Sequence, residues 1–289
     1  MIWKSELNLN TLFCFPAFLT SDFFLRKNDG PSDKHSPLIM FYEQQALKEL
    51  KTWQKKMSRN SSMVDKLSKA MQNRVNRIIP EKVHRAITVT IKQMVRGVLF
   101  GATFVGPKTS NMISLQQTEE VVRKRIDFYK KTAAAEGGIT GAGGILLGLA
   151  DFPILLSLKL KLLFDIAALY GYDVKEYKER LYILHIFQLA FSNQQYRRNV
   201  FEQMKDWNEK SKQLPSDIHS FDWRNFQQEY RDYIDLAKLA QLIPGIGAVV
   251  GFVVNYRLIN KLGETAINAY RMRLNWSEIG SDKFLHSEF

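Results

Sequence analysis

At 289 residues the chain can bury a sizeable core in one large or two small domains, and 45% apolar against 24% charged residues excludes an intrinsically disordered protein. A single cysteine, Cys14, excludes an internal disulfide framework and any cysteine-based zinc cluster, and fits a reducing compartment. The formal charge is +12, and it is localised: residues 40–131 carry 19 Lys/Arg against 7 Asp/Glu, whereas residues 1–39 balance at 4 against 4 and residues 132–289 at 18 against 18.

Residues 1–37 hold Pro16, Gly30, Pro31 and Pro37 and no helical period, so they read as a poorly ordered extension. Met40 opens the first strong helical pattern and would itself serve as a start codon, so a misassigned gene start is expected. Glu6, Asn8 and Asn10 interrupt what would be a secretory core, and no cleavage site follows; the cytoplasm is the expected compartment. Leu12–Leu25 is broken by Pro16, Ser21 and Asp22, which argues against a membrane span.

From residue 38 the apolar residues recur at helical spacing. Phe41, Leu47, Leu50 and Trp53–Met57 predict a first helix studded with Lys51, Lys55 and Lys56, with Arg59 just beyond it. Ser62 and Asp65 make a capping-box-like start to a second helix running to Ile79 and carrying Arg74 and Arg77. Pro80 suits the first turn of a third, from Glu81 to about Phe100, with Val83, Ile87, Ile91, Met94, Val95 and Val98 on its apolar face. Ser114 with Gln117 caps a fourth, from Leu115 to about Ala135.

Residues 137–149 then read GGITGAGGILLGL, without a charge. Glycine in a helix interior costs roughly 1 kcal/mol, so this array demands compensation. Gly137–Gly141 and Gly144–Gly148 are small-xxx-small pairs that let helix backbones approach closely. Asp151 and Pro153 predict a break, with Asp151 capping a new helix and Pro153 in its first turn. Helices are expected next over 174–191, 194–212 and 221–241. The uncharged block 239–256 contains Pro244, Gly245, Gly247 and Gly251 and leads into Asn255, Tyr256 and Arg257. The class is all-α, with nine or ten helices and two glycine-rich apolar segments. The domain spans 38–275, and 276–289 is a tail.

No spacing forms a catalytic or cofactor site. Asp151 and Asp165 lie 14 residues apart, roughly 20 Å along a helix, too far to flank one bond. Asp165 instead pairs with Lys161 at i−4. The five histidines are scattered without ligand spacing, and no metal or cofactor is expected. The glycines lack the Lys-Ser/Thr of a phosphate cradle. Neither apolar block supplies the roughly 20 residues of a clean span, so a surface-lying pair or a hairpin dipping into one leaflet is expected, with a buried core hairpin as the competitor. A one-sided positive field attracts either nucleic acid or an anionic leaflet. Cations dispersed over several helices, without interleaved aromatics, disfavour base readout and favour anionic membrane lipid.

Three segments resemble the EcsC family: SSMVDKLSKAMQNRVNRIIPEKVHRAI; the stretch from GGITGAGGILLGLADFP to YGYD; and LIPGIGAVVGFVVNYRLINKLGETAINAYRMR. Together they cover about residues 40–275. The family is similar to the third component encoded beside a bacterial ABC transporter that also has an ATPase and a permease. The resemblance implies a non-enzymatic accessory protein at the inner face of the cell membrane, with the permease or ATPase subunits as partners. A soluble helical scaffold, or a lipid- or peptide-acting enzyme with a pocket near Asp151, is the alternative. The motif implies no catalytic residue and no oligomeric state.

Overall fold

In the computed structural model, residues 37–59, 81–100, 114–140, 144–192, 194–220 and 251–276 are described, with residues 222, 224 and 226 besides. These form an all-α bundle with no strand among the described residues: α1 (Pro37–Met57), α2 (Glu81–Phe100), α3 (Leu115–Thr140), α4 (Gly144–Leu169), α5 (Tyr177–Phe191), α6 (Gln194–Met204), the short α7 (Trp207–Lys210) and α8 (Gly251–Arg271). The expected helices over 62–79 and 221–241 lie largely outside the described residues.

The core is built on α4 and α5. Every residue from Leu181 to Phe191 is buried, and from Phe152 to Leu169 only Pro153, Ile154 and Lys161 escape. Burying one such Leu or Phe side chain contributes about 1.5–3 kcal/mol, so these two helices dominate the apolar burial. On α2, Ile87, Ile91, Met94, Val95 and Val98 are buried, on the face that periodicity assigned. Arg180 of α5 donates to the carbonyls of Val98 and Leu99, at 3.4 and 3.1 Å, satisfying two orphan acceptors at the C-terminus of α2.

The helices α3 and α8 run antiparallel. Glu119 meets Arg271, Ile126 meets Gly263, and Lys130 meets Asn260. At Gly263 a Cβ would stand 2.5 Å from Ile126 Cδ1, so the close crossing needs a glycine here.

Several boundaries differ from expectation. Ser114 Oγ does accept from the Gln117 amide, at 3.3 Å, and caps α3. That helix nonetheless continues past Ala135 to Thr140, through Gly137 and Gly138. Asp151 is not an N-cap and Pro153 is not in a first turn: α4 runs unbroken from Gly144 with the proline inside. A proline there costs about 3 kcal/mol, and burial of Phe152, Leu155, Leu156, Leu158 and their neighbours outweighs it. The helix expected over 194–212 ends at Met204, and Lys205–Asp206 form a turn before α7.

The YGYD segment is the joint between α4 and α5. The Gly171 amide donates to the Ala168 carbonyl at 2.9 Å and the Tyr172 amide to Ala167 at 3.1 Å, a Schellman closure. Gly171 has φ +86°, the left-handed conformation this closure requires. Asp173 Oδ1 then accepts from the Lys175 amide at 2.9 Å, turning the chain into α5.

Candidate functional site

Helix α1 has two faces. Ala46, Leu50 and Met57 are buried, while Lys48, Lys51, Lys55 and Lys56, with Arg59 beyond the helix end, are exposed. Phe41 is 67% exposed on this helix, an uncommon place for a large aromatic. Phe41, Gln44, Lys48, Thr52, Trp53 and Lys56 line a shallow groove of about 760 Å³ along it. From residue 50 to 59 the exposed face carries four cations and no carboxylate. On α2, Arg85, Lys92 and Arg96 are exposed as well, with the apolar Val89 among them.

Beneath α1 lies a buried ionic network that fixes its position. Glu119 of α3 is fully buried, and Arg271 at the end of α8 is 1% exposed. The two form a bidentate pair, with Arg271 Nε to Oε1 and Nη2 to Oε2 both at 2.6 Å. Two phenols complete the carboxylate: Tyr42 of α1 donates to Oε2 at 2.6 Å, and Tyr170 donates to Oε1 at 3.1 Å. Arg271 Nη1 reaches back to Glu49 of α1 at 2.9 Å. Burial opposes ionisation of Glu49, but the hydrogen bonds from Arg271 and Gln45 hold its carboxyl below the usual range. Burial, and then the hydrogen bond to Glu119 and its charge, raise the Tyr42 phenol. Four elements thus meet on one carboxylate and one guanidinium.

Two further carboxylates are enclosed in the same manner. Glu179 accepts from Tyr270 at 2.7 Å and pairs with Arg273 at 2.6 Å. Burial pushes its carboxyl up, against the opposing pull of Arg273. The Arg273 guanidinium lies 3.7 Å from the Tyr172 ring and 4.6 Å from that of Tyr182. Asp165 pairs with Lys161, as the spacing predicted, and also accepts from Tyr129 at 2.8 Å. Each carboxylate is occupied by cations and phenols of the protein itself, an arrangement suited to holding helices together rather than to proton transfer. Among the described residues no group of three or more His, Cys, Asp or Glu stands together where a metal ion could be held.

The residues singled out from sequence divide. Lys51, Lys55, Lys56 and Arg59 are exposed together at the end of α1. Arg74, Arg77, Gly141, Pro244, Gly245 and Gly247 lie outside the described residues. Gly137 is in α3; Gly144, Gly148 and Asp151 are in α4, with half-buried Pro153; Gly251 opens α8. Asn255 is fully buried, and neither side-chain amide atom has a hydrogen-bond partner. Tyr256 and Arg257 are exposed, and the Lys130 ammonium sits 4.8 Å from the Tyr256 ring centroid. Sequence reasoning passed over Glu119, Glu179, Arg271 and Arg273. The signal for Glu119 was present: it shares the helical stripe of Val122, Ile126, Tyr129 and Ala133, where a carboxylate has no business unless a partner comes to it.

No described helix is long and apolar enough to cross a membrane. No solved structure matches the chain. Protein EcsC of Bacillus subtilis (strain 168) is 44% identical over 229 residues, covering 79% of this chain and 94% of that protein. The uncharacterized protein YdbA of the same organism is 28% identical over 251 residues, covering 79% of this chain and 91% of its own length. The profile of the EcsC protein family matches residues 44–274, a stretch that takes in the Tyr-Gly-Tyr-Asp joint, the Glu119–Arg271 pair and most of the basic third. The chain belongs to the EcsC family.

Proposed function

We propose that this protein is a non-enzymatic accessory factor that rests against the cytoplasmic face of a bacterial cell membrane and works beside an ABC transporter. The observation that carries this reading is α1, which exposes Lys48, Lys51, Lys55 and Lys56 along its length and Phe41 near its start. Lysines beside a projecting aromatic suit an anionic headgroup layer, with cations near the surface worth about 1 kcal/mol each and the ring inserted at the boundary. Arg85, Lys92 and Arg96 of α2 add further exposed cations. The buried Glu119–Arg271 pair supports it from beneath, because α1 is tied to α3 and α8 and presents its cations on a rigid element.

The vesicle experiment is direct. Wild-type protein should co-sediment with vesicles containing phosphatidylglycerol, bind neutral vesicles weakly, and be released by salt as screening grows. The combined change Lys51→Glu, Lys55→Glu, Lys56→Glu and Arg59→Glu should release it at low salt. Equal binding of variant and wild type would remove the electrostatic reading. Transporter association has its own test: crosslinking in cells should join the protein to the permease or ATPase subunits.

One observation favours a scaffold as the second reading. The apolar stretch from Phe152 to Leu169, which follows the glycine-rich block, is buried in the helical core except at Pro153, Ile154 and Lys161, and so offers little face to lipid. A protein that stays wholly in the supernatant of lysed cells, with intact vesicle controls, would promote this reading.

A further inference from the structure

Between α6 and α7 the backbone of Asp206 occupies the left-handed region, at φ 52° and ψ 34°. It is the one non-glycine residue with positive φ among those described, and Asp tolerates this conformation better than most side chains. Strain of this kind gathers at ligand sites. The turn carries Trp207 back over α5, where its indole meets the His185 ring edge-on at 5.5 Å. Phe226 meets the same imidazole edge-on at 5.4 Å. The result is an open-mouthed cleft of about 440 Å³, with His185, Trp207 and Phe226 in its wall and Glu202, Gln203 and Lys210 also lining it. Small-molecule sites typically enclose roughly 300–1,000 Å³ between apolar walls and a few placed polar groups.

The polar groups are complementary to one ligand chemistry. His185 Nδ1 stands 3.4 Å from Gln188 Oε1. With its proton on that nitrogen, the neutral ring presents Nε2 as an acceptor, and Nε2 has no partner among the described residues. Burial holds the imidazole down to about pKa 4, so it is uncharged near neutral pH. The Lys210 ammonium donates to the main-chain carbonyl of Glu202, while the Glu202 carboxylate is taken by Lys205 at 3.3 Å. The cleft therefore has a reachable acceptor on a largely buried imidazole, two aromatic walls, and a cation that pairs with no carboxylate among the described residues.

We infer that this cleft binds a small aromatic carboxylic acid bearing a hydroxyl or N–H on its ring. The ring lies against Trp207 and Phe226, its donor bonds His185 Nε2, and its carboxylate meets Lys210. The site shares no residue with the basic face of α1, so it stands or falls independently of membrane attachment.

The test uses the full chain, with 4-hydroxyphenylacetate and phenylacetate as probes and imidazole nitrogen resonances followed by NMR. The hydroxylated acid should shift the His185 Nε2 signal and bind about tenfold more tightly than its analogue, the worth of one hydrogen bond. His185→Phe, which keeps an aromatic ring in place, should erase that difference. Lys210→Met should weaken both acids by the same factor while leaving their ratio intact. Equal affinity of the two acids for the wild-type protein, or no response at His185 to either, would overturn the inference.

Discussion

Glu119 shows how much a single side chain can decide in this protein. It is a buried anion whose oxygens are filled by Arg271, Tyr42 and Tyr170. Removing the charge leaves Arg271 buried with only the half-exposed Glu49 as a carboxylate partner. Breaking one side of such a pair costs about 3–5 kcal/mol. Glu119→Gln should therefore lower the denaturant midpoint sharply, whereas Glu120→Gln, exposed and paired with Lys124, should change it little. Gly171 offers a second, smaller case. An alanine there meets no neighbour within 4 Å, so the cost is purely conformational. Gly171→Ala should destabilise by about 1–2 kcal/mol and Gly171→Asn by less, read by urea unfolding. Equal effects of the two would mean that backbone handedness is not the reason for the glycine.

At the scale of elements, α4 is the helix whose sequence and structure disagree most. Its proline removes one rung of the hydrogen-bond ladder, and yet the helix passes through it. Pro153→Ala restores the missing donor at a half-buried position and should raise stability by about 1–3 kcal/mol. A loss of stability in that variant would mean that the proline shapes the packing of its neighbours. The basic face of α1 belongs to this scale too, since the proposed membrane contact requires only that one helix present its lysines together. Vesicle binding by the charge-reversed protein reads that property without disturbing the buried face, because Lys51, Lys55, Lys56 and Arg59 are all exposed.

Across the whole molecule, the buried groups give stability a pH profile. His185 is held neutral, with its pKa lowered to about 4, chiefly by burial. The unfolded chain takes up that proton near pH 6.5, so its contribution is complete above that value and is lost as pH falls towards 4. The loss amounts to about 3 kcal/mol across that window. Melting at pH 7 and pH 5 should show a smaller acid penalty for His185→Phe than for the wild type. Glu49, whose carboxyl is held low by Arg271, adds stability that disappears only at more acidic pH. Glu179 runs the other way, since burial raises its carboxyl and the folded state gains relative stability as it is protonated. The difference between wild type and His185→Phe isolates the imidazole from both.

The amino-acid sequence by itself determined the helical class, the apolar face of α2, the Ser114 cap, the Lys161–Asp165 pair and the concentration of positive charge in one third of the chain. These are properties of period, of neighbours three or four residues apart, or of composition, and all are local. The tertiary structure alone decided that α4 passes through Pro153, that α3 passes through its glycines, and that Glu119 meets Arg271 and Glu179 meets Tyr270. At Pro153 and at the two carboxylates the partners lie far apart along the chain: burial gained against other helices outweighs a local breaking signal, and a buried charge is tolerable only because a distant residue arrives to neutralise it. The same holds for the cleft at His185, which exists because the left-handed turn at Asp206 returns Trp207 to α5, and no spacing along the chain records that return.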